Sequence, residues 1–110
     1  MRRLRVFALC LCAMTVLLAQ TDRGVVTGTV KDSSGAVVPG AQVSAVQTGT
    51  NERFRTTTTS AGDFTVPSLP AGTYRVRVEN TGFKTYVGDN VVVAPGSTVS
   101  LNVTLEVGTS

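Results

Sequence analysis

The sequence predicts an all-β fold, seven strands in an antiparallel β-sandwich behind a short helical leader. Three observations predict it. From residue 25 onward apolar residues recur with a period of two rather than 3.6, clusters of Gly, Pro, Asn, Asp and Ser punctuate the chain about every ten residues, and no helical stripe follows the leader. Strict alternation of this kind marks antiparallel strands with one face on a core and the other in water.

The leader comes first. Arg2, Arg3 and Arg5 precede an uncharged run from Val6 to Leu18 and then the small residue Ala19. This order reads as a secretory signal peptide over residues 1–20, and its apolar run falls short of the ~20 residues that a spanning helix needs. Cleavage is expected after Ala19 or Gln20. Cys10 and Cys12 follow Leu9 and Leu11, where a lipid-attachment site wants a small residue, so cleavage is favoured over lipidation. One domain, residues 21–110, is expected to follow, with no membrane-spanning segment after cleavage.

Strands are expected over 25–31, 41–47, 53–59, 63–66, 73–79, 85–93 and 97–106. In the first, Val26, Gly28 and Val30 alternate with Thr27, Thr29 and Lys31; in the second, Ala41, Val43 and Ala45 alternate with Gln42, Ser44 and Val46. Tyr74, Val76 and Val78 alternate with Arg75, Arg77 and Glu79, and Val99, Leu101, Val103 and Leu105 with Ser100, Asn102, Thr104 and Glu106. The apolar members should face the core. Ser33-Ser34-Gly35, Pro39-Gly40, Ser60-Ala61-Gly62-Asp63, Pro70-Ala71-Gly72 and Pro95-Gly96 supply the fixed or positive φ that the connecting turns require.

Composition bounds the function. Arg2, Arg3 and Arg5 are the only charges before Thr21, so the chain's net +3 belongs wholly to the leader and the mature part is neutral. Nucleic-acid binders depend on phosphate attraction, which a neutral chain without a basic, aromatic-interleaved face does not provide, so no nucleic-acid partner is expected. Both cysteines lie in the leader, leaving about 90 residues to fold on one apolar core without disulfides. The absence of histidine and of mature cysteine excludes imidazole triads, thiolate nucleophiles and ordinary zinc sites by residue type. No catalytic residue, cofactor or metal is expected. Asp32, Asp63 and Asp89 each sit beside Gly or Ser at an expected turn, where capping the local backbone is the usual role of an aspartate.

The order of these elements carries a resemblance. Gly28, Val30, Asp32, Gly35, Val38, Pro39, Gly40, Ala41 and Val43, then Thr58, Gly62, Phe64, Leu69, Gly72, Tyr74, Val76, Gly82 and Phe83, follow the pattern of the carboxypeptidase regulatory-like domain. The resemblance covers nearly the whole mature chain. It implies a seven-stranded antiparallel Greek-key sandwich of the prealbumin-like, Cna-B-related type, without the zinc ligands of the peptidase that the domain accompanies. Secreted bacterial versions sit behind the signal peptide of TonB-dependent outer-membrane receptors, ahead of a plug and barrel. Seven strands committed to a sandwich cannot also make the eight or so that the smallest membrane barrel needs. The expectation is therefore a free module or the front of a truncated receptor, exported and associated with the periplasm or outer membrane.

Cna-B relatives can form a Lys–Asn isopeptide bond beside a buried carboxylate, and Lys31, Asn102 and Glu79 have the right types. All three alternate with core-facing residues and should point outward, whereas that chemistry needs a dry site. Two functions remain. The first is a non-catalytic structural or interaction module of the bacterial cell envelope, touching a protein partner there. The alternative is a carbohydrate-binding module. The chain has no Trp, and Phe64, Tyr74 and Phe83 stand at positions expected to be buried, which leaves Phe54 and Tyr86 as candidate ligand or partner contacts.

Overall fold

A computed structural model describes residues 22–108; the signal segment expected over 1–20, with its helix, lies outside the described residues. The elements are β1 (Arg23–Asp32), β2 (Gln42–Gln47), β3 (Arg53–Thr57), β4 (Asp63–Pro70), β5 (Gly72–Glu79), β6 (Tyr86–Val93) and β7 (Thr98–Leu105). They form two sheets, one ordered β4-β1-β7 and the other β3-β2-β5-β6. This is the all-β sandwich that the sequence predicts. Among the described residues no helix is long and apolar enough to cross a membrane.

Period two becomes burial. Val26, Val30, Val43, Ala45, Tyr74, Val76, Val78, Val103 and Leu105 are all buried in one core, while Arg75, Arg77, Asn102 and Thr104 between them are exposed. Leu101 and Phe83, expected inside, are only half-buried, since they pack against the margin of the core rather than its centre. Tyr74 is the largest fully buried side chain, and its hydroxyl donates to the Pro70 carbonyl at 2.5 Å, so the phenol enters the core with its polar atom satisfied. Burial pushes the Tyr74 hydroxyl above its ordinary pKa, with the negative charge of Glu52 adding to the effect and Arg23 opposing it. Thr58, the one buried polar side chain in the described core, accepts from the Ala41 N–H and donates to the Val38 carbonyl, both at 2.8 Å. That pair of bonds pins the Pro39-Gly40 bend against the chain leaving β3.

Two features depart from the sequence reading. β4 runs through Pro67 to Pro70 rather than stopping at Val66; it is an edge strand, where a proline's missing N–H costs no ladder bond, and the irregular segment is accommodated by a positive φ at Ser68 and a register shift against β1 between Gly24 and Val26. Four of the ladders are antiparallel as expected, but β1 pairs with β7 in parallel, from Val25 opposite Thr98 to Asp32 opposite Leu105. Alternation specifies which face a strand buries, not the direction of its neighbour.

Gly28 sits at the centre of this parallel ladder, opposite Leu101 and beside Phe64 of β4. A Cβ there would overlap the Leu101 carbonyl oxygen and meet Phe64 Cε1 at 2.9 Å. Gly28→Ala should therefore destabilise the domain by ~1–3 kcal/mol or more, because either the strands or the ring must shift. Gly49→Ala, in open space, should be close to neutral; equal thermal melting of the two variants would contradict the packing.

Val76→Asp buries an unpaired charge at a fully buried position and should cost more than ~4 kcal/mol, enough to unfold a domain of ordinary stability. Arg77→Ala, next along the strand and exposed, should cost less than ~1 kcal/mol. Chemical denaturation of both variants checks the register; similar losses would refute it.

Candidate binding face

The two aromatics singled out by the sequence fall at opposite margins of the four-stranded sheet. Phe54 lies opposite Ala45, itself opposite Val76; Tyr86 lies opposite Val78, itself opposite Val43. Both therefore belong to the inward-facing rows, and both are half-buried against the core. Phe54 meets Tyr74 edge-to-face, with ring centroids 6.2 Å apart and planes at 60°. β3 and β6 stand three strand spacings apart, or ~14 Å. The sheet does not bring the two rings together, and each closes one open side of the sandwich.

The outer face of the same sheet is built differently. β2 lies between β3 and β5, and the register lines up Arg53, Val46 and Arg75 in one row and Arg55, Ser44 and Arg77 in the next. All four arginines are exposed. Arg75 Nε donates to Asp89 Oδ1 at 2.6 Å and Arg77 Nη2 lies 3.2 Å from Glu79 Oε1, whereas Arg53 and Arg55 have no ion pair among the described residues. Gln42, Ser44, Arg53, Arg55, Thr57 and Glu79 line a shallow, open cleft of about 370 Å³ on this face. The sequence reading expects no basic face interleaved with aromatics, and these rows, with Val46 and Ser44 between the arginines, do not make one; what that reading missed is the clustering of the four arginines. The signal was present twice as Arg-x-Arg, but only the pairing of β3 and β5 with the same β2 puts the two motifs side by side.

The acidic residues are individually occupied. Asp32 Oδ1 accepts from the Ser34 hydroxyl and from the N–H groups of Ser34 (2.9 Å) and Ala36 (3.1 Å). The Ser34 hydroxyl chiefly, opposed by desolvation and helped by the N–H groups of Ala36, Ser34 and Gly35, holds the Asp32 carboxyl below its ordinary range. A depressed carboxylate supports the fold above its unfolded pKa, so this cap is intact at neutral pH and is lost only as pH falls below the ordinary range. Asp63 and Asp89, expected as turn caps, serve other roles: Asp63 accepts from the Thr29 hydroxyl across the β1–β4 ladder at 2.8 Å, and Asp89, inside β6, pairs with Arg75. Among the described residues no three His, Cys, Asp or Glu side chains are grouped to hold a metal ion.

Lys31 and Asn102 are exposed on the outer face of the three-stranded sheet, lining a small surface recess, and Glu79 is exposed on the outer face of the other. The carboxylate needed beside a Lys–Asn pair is thus on the far side of the sandwich from it.

What this fold and this face define is a β-sandwich module whose distinctive groups lie on its surface, not in an enclosed pocket. The chain belongs to the carboxypeptidase regulatory-like domain family, whose model matches residues 25–106. That family is a non-catalytic, regulatory or binding-like module. Halomucin of Haloquadratum walsbyi (strain DSM 16790 / HBSQ001) is 32% identical over 81 residues, covering 74% of this chain and 1% of Halomucin, so the chain spans a very small part of that relative. Among solved structures, a putative carbohydrate binding protein from Bacteroides uniformis ATCC 8492 superposes with a TM-score of 0.60 at 21% identity, covering 76% of this chain and 41% of that one. Wild-type catechol 1,2 dioxygenase from Acinetobacter radioresistens gives 0.63 at 12% identity, covering 84% and 54%. At these identities both likenesses show the fold alone.

The placement of Lys31, Asn102 and Glu79 predicts that the purified chain has its full sequence mass, with no internal loss of ammonia or water. Intact mass spectrometry checks this. A deficit of one ammonia or one water would revive the internal crosslink.

Proposed function

We propose that this chain is a non-catalytic interaction module of the bacterial cell envelope, exported by its leader and carried at the N-terminus of a TonB-dependent receptor-like protein. The observation that carries the reading is the contrast between the two faces of the four-stranded sheet. The described aromatics and most of the aliphatic side chains are buried in the core or packed against it, with Val37, Val87, Val92 and Val107 the large exposed exceptions. Arginines and other polar side chains gather instead on an open, shallow outer face. Such a surface suits contact with another macromolecule rather than enclosure of a small substrate. The family supports a binding-like role, and the small fraction of Halomucin that it matches is consistent with a module used within much longer chains.

Carbohydrate binding is the second reading. It is favoured by the likeness to a protein described as a putative carbohydrate binding protein. Against it stands the inward orientation of Phe54 and Tyr86, since sugar-binding faces stack rings of the ligand on exposed aromatics.

An amide NMR titration of the chain with soluble α- and β-glucans separates the readings. Unchanged spectra are expected. Saturable shifts at residues 50–56 or 82–88, abolished by Tyr86→Ala without unfolding, would establish the carbohydrate-binding reading instead.

A further inference from the structure

We propose that the open edge of β3 is a docking site for an extended acidic polypeptide, which adds to the β3-β2-β5-β6 sheet as a fifth strand. This rests on the reading of the chain as an interaction module and names the partner's chemistry.

Edge comparison singles out β3. β4 is interrupted by Pro67 and Pro70 with a positive φ at Ser68, and β6 carries a positive φ at Asn90. Beside the end of β7, Lys84 N donates to Glu106 O at 2.8 Å and Phe83 bridges to Val107. β3, by contrast, contains no proline, glycine or positive φ and pairs only with β2. Its free N–H and C=O groups can template further pairing, and the only guards on this short strand are the charges of Arg53 and Arg55, which repel a cationic strand but not an acidic one.

The backbone and side chains of that edge act on the same residues. Gln47 N donates to Glu52 O and Thr58 N donates to Ala41 O, which fixes the alternation: even-numbered residues bond to β2, and Arg53, Arg55 and Thr57 direct N–H and C=O to the open side. None of those groups has a backbone partner among the described residues. Arg53 and Arg55 also project their side chains onto the outer face, unpaired, with an i,i+2 spacing of ~6.6–6.8 Å. An added strand with carboxylates at alternate positions has the same spacing and would place each opposite an arginine.

Charge also selects among occupants. A second copy pairing through β3 would set arginines against arginines, which is unfavourable across a ladder. An anionic glycan could reach the guanidinium groups but has no alternating N–H and C=O to complete the edge.

The test is an amide NMR titration of the full chain with an alternating Thr-Glu heptapeptide. Expected are saturable shifts over residues 53–57, slowed amide exchange at Arg53, Arg55 and Thr57, and weakening as salt is raised. Arg53→Glu with Arg55→Glu, both at exposed positions, should keep the dispersed spectrum and the melting temperature, lower the affinity about tenfold or more, and bind a Thr-Lys heptapeptide instead. The Thr-Glu peptide N-methylated on its ladder-facing residues should lose binding. Equal binding by the methylated peptide, or equal shifts from polygalacturonate, would overturn strand addition in favour of plain charge attraction. Shifts confined to another face would refute the β3 site while leaving the interaction-module reading intact.

Discussion

The sandwich depends on β1. It is the middle strand of the three-stranded sheet, antiparallel to β4 on one side and parallel to β7 on the other, and it sends the fully buried Val26 and Val30 into the core. The parallel ladder joins the beginning of the described chain to its end, so the core cannot close until the most distant segments have met. Gly28 is the point at which the three strands come too close for a side chain, with Phe64 filling the space beside it. A residue without a Cβ is thus required in the middle of a strand, where glycine is normally a weakness.

Around that centre, polar groups inside the fold are paired individually. Tyr74 bonds Pro70, Thr58 bonds both Ala41 and Val38, and no buried side-chain nitrogen or oxygen among the described residues lacks a partner. At 12% identity the likeness to a dioxygenase is a likeness of scaffold. The same arrangement of strands accepts different chemistry according to what is placed upon it.

The outer face of the four-stranded sheet follows from strand order. Of its four arginines, the two on the inner strand β5 are matched by Asp89 and Glu79, and the two on the edge strand β3 are not. Residues 21–110 balance seven cations against seven anions, yet unmatched positive charge is concentrated at one edge of the sheet. Net charge sets the behaviour of the whole molecule at long range, whereas contact recognition depends on local arrangement.

The sequence by itself determined which residues are strands and which of their faces are wet. Val76 and Val78 against Arg75 and Arg77 is a pattern only a half-buried strand satisfies, and Gly and Pro clusters place the turns because few other residues reach the backbone angles required. The family was legible for the same reason, since its glycines, Thr58 and Tyr74 have fixed structural duties. The tertiary structure decided what period two leaves open. Alternation does not encode a strand's neighbour or direction, so the parallel β1–β7 ladder and the extension of β4 through Pro67 came from packing. Nor does it show where a sheet ends: Phe54 and Tyr86, ambiguous in sequence, proved to lie in the inward-facing rows of two edge strands. The arginine rows arise because β3 and β5, remote from each other in the chain, share β2 as a neighbour, and no local pattern records a shared neighbour.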